Sequence, residues 1–191
     1  FEYLQKILNG LDNFYDGEAA TPAINKLFDV RPEQENLNAK LAEEYHTMVA
    51  QLLFLSMRAR PDILTAVSFL CTRVQEPDVD NRLKLRRVIQ YLRSTPELHL
   101  TLEADNISSL QWWVDASYAV HGDYKSHTGG LLTLGKGALV STSSRQKINT
   151  KSSTEAELVG VDDMMGKVLH TRYFIEAQGY TNAETTIYQD N

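Results

Sequence analysis

The chain has 191 residues, a formal net charge of −6 and 42% hydrophobic residues, which leaves room for one moderate domain and a smaller appended one. Its single cysteine, Cys71, cannot close an internal disulfide; the apolar helical run Phe69-Leu70-Cys71 predicts a buried core thiol, compatible with a reducing compartment. No apolar run approaches a membrane span, the N-terminus carries no signal-peptide pattern, and the five histidines lack the spacing with cysteine of a zinc site.

Punctuation and periodicity divide the first half. Phe1 to Leu11 reads as a short helix ending near Asn9-Gly10, and Asp12 to Asn38 as a polar, Pro-containing connector. From Asn38 to Met57 the residues Leu41, Tyr45, Met48, Leu52 and Leu55 fall on one helical face. Pro61 opens a second helix through Val74, with Ile63, Val67 and Leu70 expected to be buried. Pro77-Asp78 introduces a third, whose apolar face is Leu85, Val88, Ile89 and Leu92, and Ser94-Thr95-Pro96 ends it.

Leu98 to Leu102 then starts a sheet region, and Gly135-Lys136-Gly137 is most simply a hairpin turn between two strand-like runs. A phosphate-loop reading of those glycines fails because no helix follows them. In the strand-like run, Trp112, Val114, Ala116 and Tyr118 alternate with Trp113, Asp115, Ser117 and Ala119, so both faces are largely apolar. That pattern predicts a central strand covered on both sides, with Asp115 as the intruder near its end or beside a cation. This segment alone is equally consistent with a hydrogen-bonded or turn-flanking Asp.

A long helix follows. Ser152 with Glu155 three residues on forms a capping-box pattern, and Leu158, Val161, Met165, Val168 and Leu169 mark its apolar stripe. Glu157 lies on the edge of that stripe and faces the sheet, whereas Glu155 shares its sector with Asp162 and Gly166 and faces solvent. Glu157 is therefore the functional candidate; its competing role is a carboxylate serving the helix dipole. After the turn residues Asn182-Ala183-Glu184, the β-rich run Thr185-Thr186-Ile187-Tyr188 leads to Asp190. Ligands bind beyond the carboxyl ends of parallel strands, which is where Asp190 would sit. Three converging carboxylates are what a hard divalent cation needs, and a pair of cations can clamp both oxygens of a phosphodiester displacement.

The ordered motifs WVDAS, KSHTGG (Lys125 to Gly130), RQK (Arg145 to Lys147), SSTEAEL and YQDN resemble the ribonuclease H domain of a copia-type retrotransposon polyprotein. Upstream, ATPA, LLFLSMRARPDI, AVSFL and RRVIQYLRST resemble the region joining the reverse transcriptase to that nuclease, so the likeness covers almost the whole chain. It implies a helical connection region over 1–97. It also implies a ribonuclease H-like α/β domain over 98–191: an antiparallel meander, a crossover helix and one strand parallel to the first. Asp115, Glu157 and Asp190 become the first three metal ligands of a hydrolase cutting the RNA strand of RNA–DNA hybrids. Two Mg2+ ions are expected, with Mn2+ as substitute. The family pattern adds a fourth carboxylate beyond Asn191, so the expected domain is C-terminally truncated; the alternative is a noncatalytic, hybrid-holding part of the polyprotein. The expected partners are the hybrid and the rest of the polyprotein, with no membrane and no small-molecule cofactor. The expected setting is intracellular, in a cytoplasmic virus-like particle or the nucleus.

Val161-Asp162-Asp163 has the paired acids of a polymerase site, but Gly160 stands where an aromatic would be and the run lies within a helix. A solvated helix face is the better reading. The acidic net charge hides two acid-free basic blocks: Lys125, Lys136, Arg145, Lys147 and Lys151, and Arg82, Lys84, Arg86, Arg87 and Arg93. Local patches rather than total charge set phosphate affinity, and Lys125, Arg145, Lys147 and Lys151 are the candidate nucleic-acid contacts.

Overall fold

Caps and prolines set the helix ends in the first half of the chain. The computed structural model describes residues 2–31, 33–180 and 184–190. It divides into two units, Phe1–His99 and Leu100–Asn191. Phe1 and the turn residues Asn182 and Ala183 lie outside the described residues, as does Asn191.

The first unit holds α1 (Glu2–Asn9), α2 (Ala39–Arg58), α3 (Leu64–Cys71) and α4 (Val79–Ser94), with single 3-10 turns at Asn13–Tyr15 and Pro61–Ile63. Asn38 caps α2 by accepting from Leu41 N at 3.0 Å. Asp78 and Asn81 cap α4 reciprocally: Asn81 N donates to Asp78 Oδ1 at 2.7 Å, and Asp78 N to Asn81 Oδ1 at 3.3 Å. Such caps contribute about 1 kcal/mol each. The expected faces pack together, with Tyr45, Leu52, Leu55, Ile63, Val67, Leu70, Leu85, Val88, Ile89 and Leu92 all buried. The Tyr45 hydroxyl donates to Leu70 O at 3.1 Å, so its polar end is satisfied inside the core.

Three expectations change here. The second helix ends at Cys71 rather than Val74, because Thr72 N and Arg73 N turn to Phe69 O and Leu70 O and tighten the last turn. Cys71 is half-buried, not a fully enclosed thiol, and burial raises its pKa. The basic block on α4 is largely spent inside the unit. Arg82 pairs with Asp12 at 3.8 Å and lies 3.8 Å over the Phe14 ring; Lys84 pairs with Asp80 at 2.9 Å, and Arg93 with Asp16 at 2.7 Å. The contacts with Asp12, Phe14 and Asp16 pin the connector to α4.

The RARPDI motif also has a structural account. Arg60, nearly fully buried, donates to both Asp62 oxygens, to Thr95 O and to Thr95 Oγ1. Burial would raise the Asp62 carboxyl, yet hydrogen bonds from Arg60 and Tyr91 and the Arg60 charge hold it below its usual value. A buried guanidinium is tolerated because its donors are matched.

The second unit is a mixed α/β layer structure. Strands β2 (Ser109–Ser117), β3 (His127–Thr133), β5 (Val140–Arg145) and β6 (Glu184–Tyr188) form one sheet in the order β5-β3-β2-β6. The pairs β2–β3 and β3–β5 are antiparallel, and β6 runs parallel to β2. Helix α5 (Ser153–Ala177) makes the crossover and covers one face, burying Leu110, Trp112, Val114 and Leu132 against Met164, Val168 and Ile175. Gly130 keeps that approach close: a Cβ there would lie 2.9 Å from Met164 Cε and 3.1 Å from Thr142 Cγ2.

Leu98 to Leu102 forms no strand, and Leu98 and Leu102 are exposed. The Gly135-Lys136-Gly137 segment does join β3 to β5, but it is not a tight hairpin turn. Gly135–Lys136 is β4 and pairs with β1 (Glu103–Ala104). Gly137 has φ 76°, and a Cβ there would meet Thr101 O at 2.2 Å, so glycine is required. The second face of β2 is not covered by the described residues: Trp113, Asp115 and Ser117 are exposed along it. Both β2 faces look apolar in sequence, yet α5 covers only one.

Candidate metal centre

The register of β2 and β6 brings two acids together. Trp113 pairs with Tyr188, and two residues further along each chain stand Asp115 and Asp190. A period of two keeps Asp115 on the open face with Trp113. The two rings stack there at 4.4 Å with an interplanar angle of 20°.

The third acid comes from α5. Glu157 shares its helical phase with Gly160, Met164 and Val168, the buried side, and is itself only 5% exposed. The expected apolar stripe is a correction: Leu158 is 65% exposed, and Met165 and Leu169 are also exposed. The packed side uses Ala156 and Gly160, small residues that let the helix sit close to the sheet near Val114, Ala116 and Thr128. Glu155 faces away and serves the helix start. Ser152 Oγ accepts from Glu155 N at 3.1 Å, but Glu155 Oε2 accepts from Lys151 N at 2.7 Å rather than from the cap residue expected of a capping box. The run Val161-Asp162-Asp163 lies within α5 with both aspartates exposed, as its helical context predicts.

Asp115, Glu157 and Asp190 each offer a carboxylate oxygen, and these atoms lie within 4.8 Å of one another. Ala116 N donates to Glu157 Oε1 at 3.1 Å and Gln189 Nε2 donates to Glu157 Oε2 at 2.9 Å. Among the described residues no Lys, Arg or His forms an ion pair with any of the three. Converging carboxylates of like charge, one of them buried, form an all-oxygen donor set of the kind that suits a hard divalent cation.

The basic candidates sit in loops and at a strand end. Lys147 and Lys151 are exposed between β5 and α5, and Lys125 is half-buried before β3. Arg145, at the end of β5, is hydrogen-bonded and ion-paired to Asp123, which reduces its freedom to meet another anion. Lys136 lies 4.0 Å from Glu103.

Sequence reasoning assigned no role to several buried polar residues of the second unit. Gln146, in the RQK motif, is almost completely buried; its amide donates to Thr128 Oγ1 at 3.1 Å and to Ala156 O at 2.8 Å, tying β3 to the first turn of α5. His121 Nε2 and His127 Nδ1 lie 3.0 Å apart, and His127 Nε2 lies 2.6 Å from Ser143 Oγ. Burial, then the nearby Arg145 charge, lowers the His121 pKa; burial, then His121, lowers that of His127 to about 4. The spacing of the two histidines gave no metal signal, and their contact arises only when the 118–126 loop folds back on β3.

Comparison with known proteins decides the chain's relationship. It is 33% identical over 126 residues to a putative transposon Ty5-1 protein from Saccharomyces cerevisiae, covering 65% of this chain and 41% of that protein. It is 36% identical over 115 residues to the retrovirus-related Pol polyprotein from transposon RE2 of Arabidopsis thaliana, covering 60% and 8%. Its homologues are copia-type retrotransposon Pol polyproteins. The corresponding polyprotein from transposon TNT 1-94 of Nicotiana tabacum aligns with all of this chain at 25% identity, over 15% of its own length. The chain thus spans less than half of each of these retrotransposon relatives. No protein-family profile and no solved structure matches it. No helix among the described residues is long and apolar enough to cross a membrane.

Proposed function

We propose that this retrotransposon Pol segment is a helical connection region, residues 1–97, followed by a ribonuclease H-like nuclease domain, residues 98–191, that cleaves the RNA strand of RNA–DNA hybrids. The observation that carries the reading is the convergence of Asp115, Glu157 and Asp190 oxygens within 4.8 Å at the carboxyl ends of two parallel strands and the start of a helix. The mixed sheet with a crossover helix and the Pol homologues support it.

The three carboxylates would hold two Mg2+ ions, or Mn2+ in their place. Bound divalent cations supply activation of the attacking water and stabilisation of charge on the leaving oxygen. The chain's own residues hold and orient. Asp115 and Asp190 present exposed oxygens on the strand ends, while Glu157 is fixed by two hydrogen bonds. Recognition of 2′-hydroxyls selects the RNA strand. Lys125, Lys147 and Lys151 are the hybrid-backbone contacts, with Arg145 joining them on release from Asp123. On this reading the chain works inside the cell, in a cytoplasmic particle or the nucleus, bound to hybrid and to the remainder of its polyprotein.

Neutralising Arg145, Lys147 and Lys151 together should weaken hybrid binding and flatten its salt dependence. Each phosphate contact contributes slightly under one unit of slope in log affinity against log salt, so a loss of about two units is expected with Arg145 partly occupied by Asp123. Dissociation constants measured across a salt series check this. An unchanged slope would return the block to ordinary solvated surface. The proposed activity itself is tested by magnesium-dependent cleavage of a labelled hybrid, with single-stranded RNA as the control that should survive.

A further inference from the structure

We propose that Gln189 is the positioning residue of this centre, its neutral amide orienting Glu157 so that the three acids can share a divalent cation. The inference rests on the metal-centre reading above and assigns a role that the three ligands do not cover. Glu157 is tied to the chain neighbours of both other acids. Ala116, which follows Asp115, donates its main-chain N–H to Oε1, and Gln189, which precedes Asp190, donates its side-chain Nε2 to Oε2. The first donor is a main-chain group of β2 and survives any side-chain change short of proline. The second depends on the side chain at position 189.

Each carboxylate oxygen has two lone-pair sites, so both Glu157 oxygens keep one for a cation while these hydrogen bonds stand. Without the Gln189 donor one oxygen loses its protein partner, and the terminal torsion of a glutamate is broad and soft. The carboxylate plane would then be free to turn away. A lysine or arginine at 189 would also donate, but its fixed charge would compete with the cation for the same oxygens. An amide fixes geometry and leaves all three negative charges to the metal. Hydrogen-bonding partners of this kind typically govern 10- to 100-fold in metal affinity.

The experiment titrates the 191-residue chain with Mn2+ by calorimetry and follows thermal unfolding by tryptophan fluorescence, with and without Mn2+. Both tryptophans, Trp112 and Trp113, lie in the second unit and report on it. The set is wild type, Asp115→Asn, Gln189→Leu and Gln189→Lys. Wild type should bind and Asp115→Asn should not. Gln189→Leu should weaken binding about 10-fold or more with little change in the cation-free midpoint. Gln189→Lys should abolish binding and raise the cation-free midpoint, because its ammonium occupies the place of the cation among the acids; a purely structural role for Gln189 would instead lower the cation-free midpoint of Gln189→Leu along with its affinity. Wild-type affinity in Gln189→Leu, with binding lost in Asp115→Asn, overturns the positioning role and leaves the metal centre standing. Equal binding by wild type and Asp115→Asn, or none by either, overturns the metal centre itself and this inference with it.

Discussion

Asp115→Asn or Glu157→Gln is expected to abolish magnesium-dependent cleavage of an RNA–DNA hybrid, while Glu155→Gln should lose little. Each of the first two changes removes one charged donor from a set whose oxygens lie within 4.8 Å of one another. The loss should be on the order of 10³-fold or more, roughly 4 kcal/mol of transition-state stabilisation. Glu155 lies two residues before Glu157, on the other side of the helix, and accepts from Lys151 N, so its replacement should cost a few tenths of a kcal/mol of helix stability. The measurement is single-turnover cleavage with the chain in its polyprotein, with each variant's thermal midpoint confirming that it folds. Equal losses at Glu155 and Glu157 would show the helix phase to be misassigned.

Mild acid is expected to destabilise the second unit through its histidine pair. His127 is lowered from the ordinary histidine value to about 4, first by burial and then by His121. The unfolded chain therefore takes up a proton before the folded one does. The stability involved is fully present above about pH 6.5 and is lost as pH falls toward about 4. His127 alone accounts for on the order of 3 kcal/mol across that window, and His121 shifts in the same direction. The geometry gives the reason: His121 Nε2 and His127 Nδ1 face each other at 3.0 Å, so one proton suits the gap and two would clash. Urea midpoints read by tryptophan fluorescence from about pH 7 down to about pH 4 should fall steeply for wild type and much less for His127→Gln. Parallel curves for the two proteins would rule the pair out as the acid-sensitive element.

The helices of the first unit were legible because their signals are local. Asn38, Pro61 and Asp78 start helices through the backbone groups of the next few residues. The faces of α2 and α4 were legible for a similar reason, since a 3.6-residue period needs no partner to be seen. Helix phase also separated Glu157 from Glu155, and the β-rich runs placed Asp115 and Asp190 near strand ends. By itself, then, the sequence determined the helical half, the strand–helix–strand order of the second half and which three acids are the candidates that the fold brings together.

Only tertiary structure decided which apolar stripe of α5 packs. Leu158, Met165 and Leu169 are more hydrophobic than Ala156 and Gly160, yet the small residues face the sheet. Close packing depends on shape: the sheet near Val114, Ala116 and Thr128 admits a helix surface without bulk, and the large side chains turn outward. The open face of β2 was likewise hidden, because alternation shows that a strand has two apolar faces but not how many layers cover them. The α4 cations were read as a phosphate patch, and contact with Asp12, Phe14 and Asp16 gave them an internal role. Gln189 reaches Glu157 and His121 reaches His127 only after the chain has folded. Such hydrogen bonds join residues with no periodic relation, and the direction of a side chain is fixed by packing rather than by its neighbours in sequence.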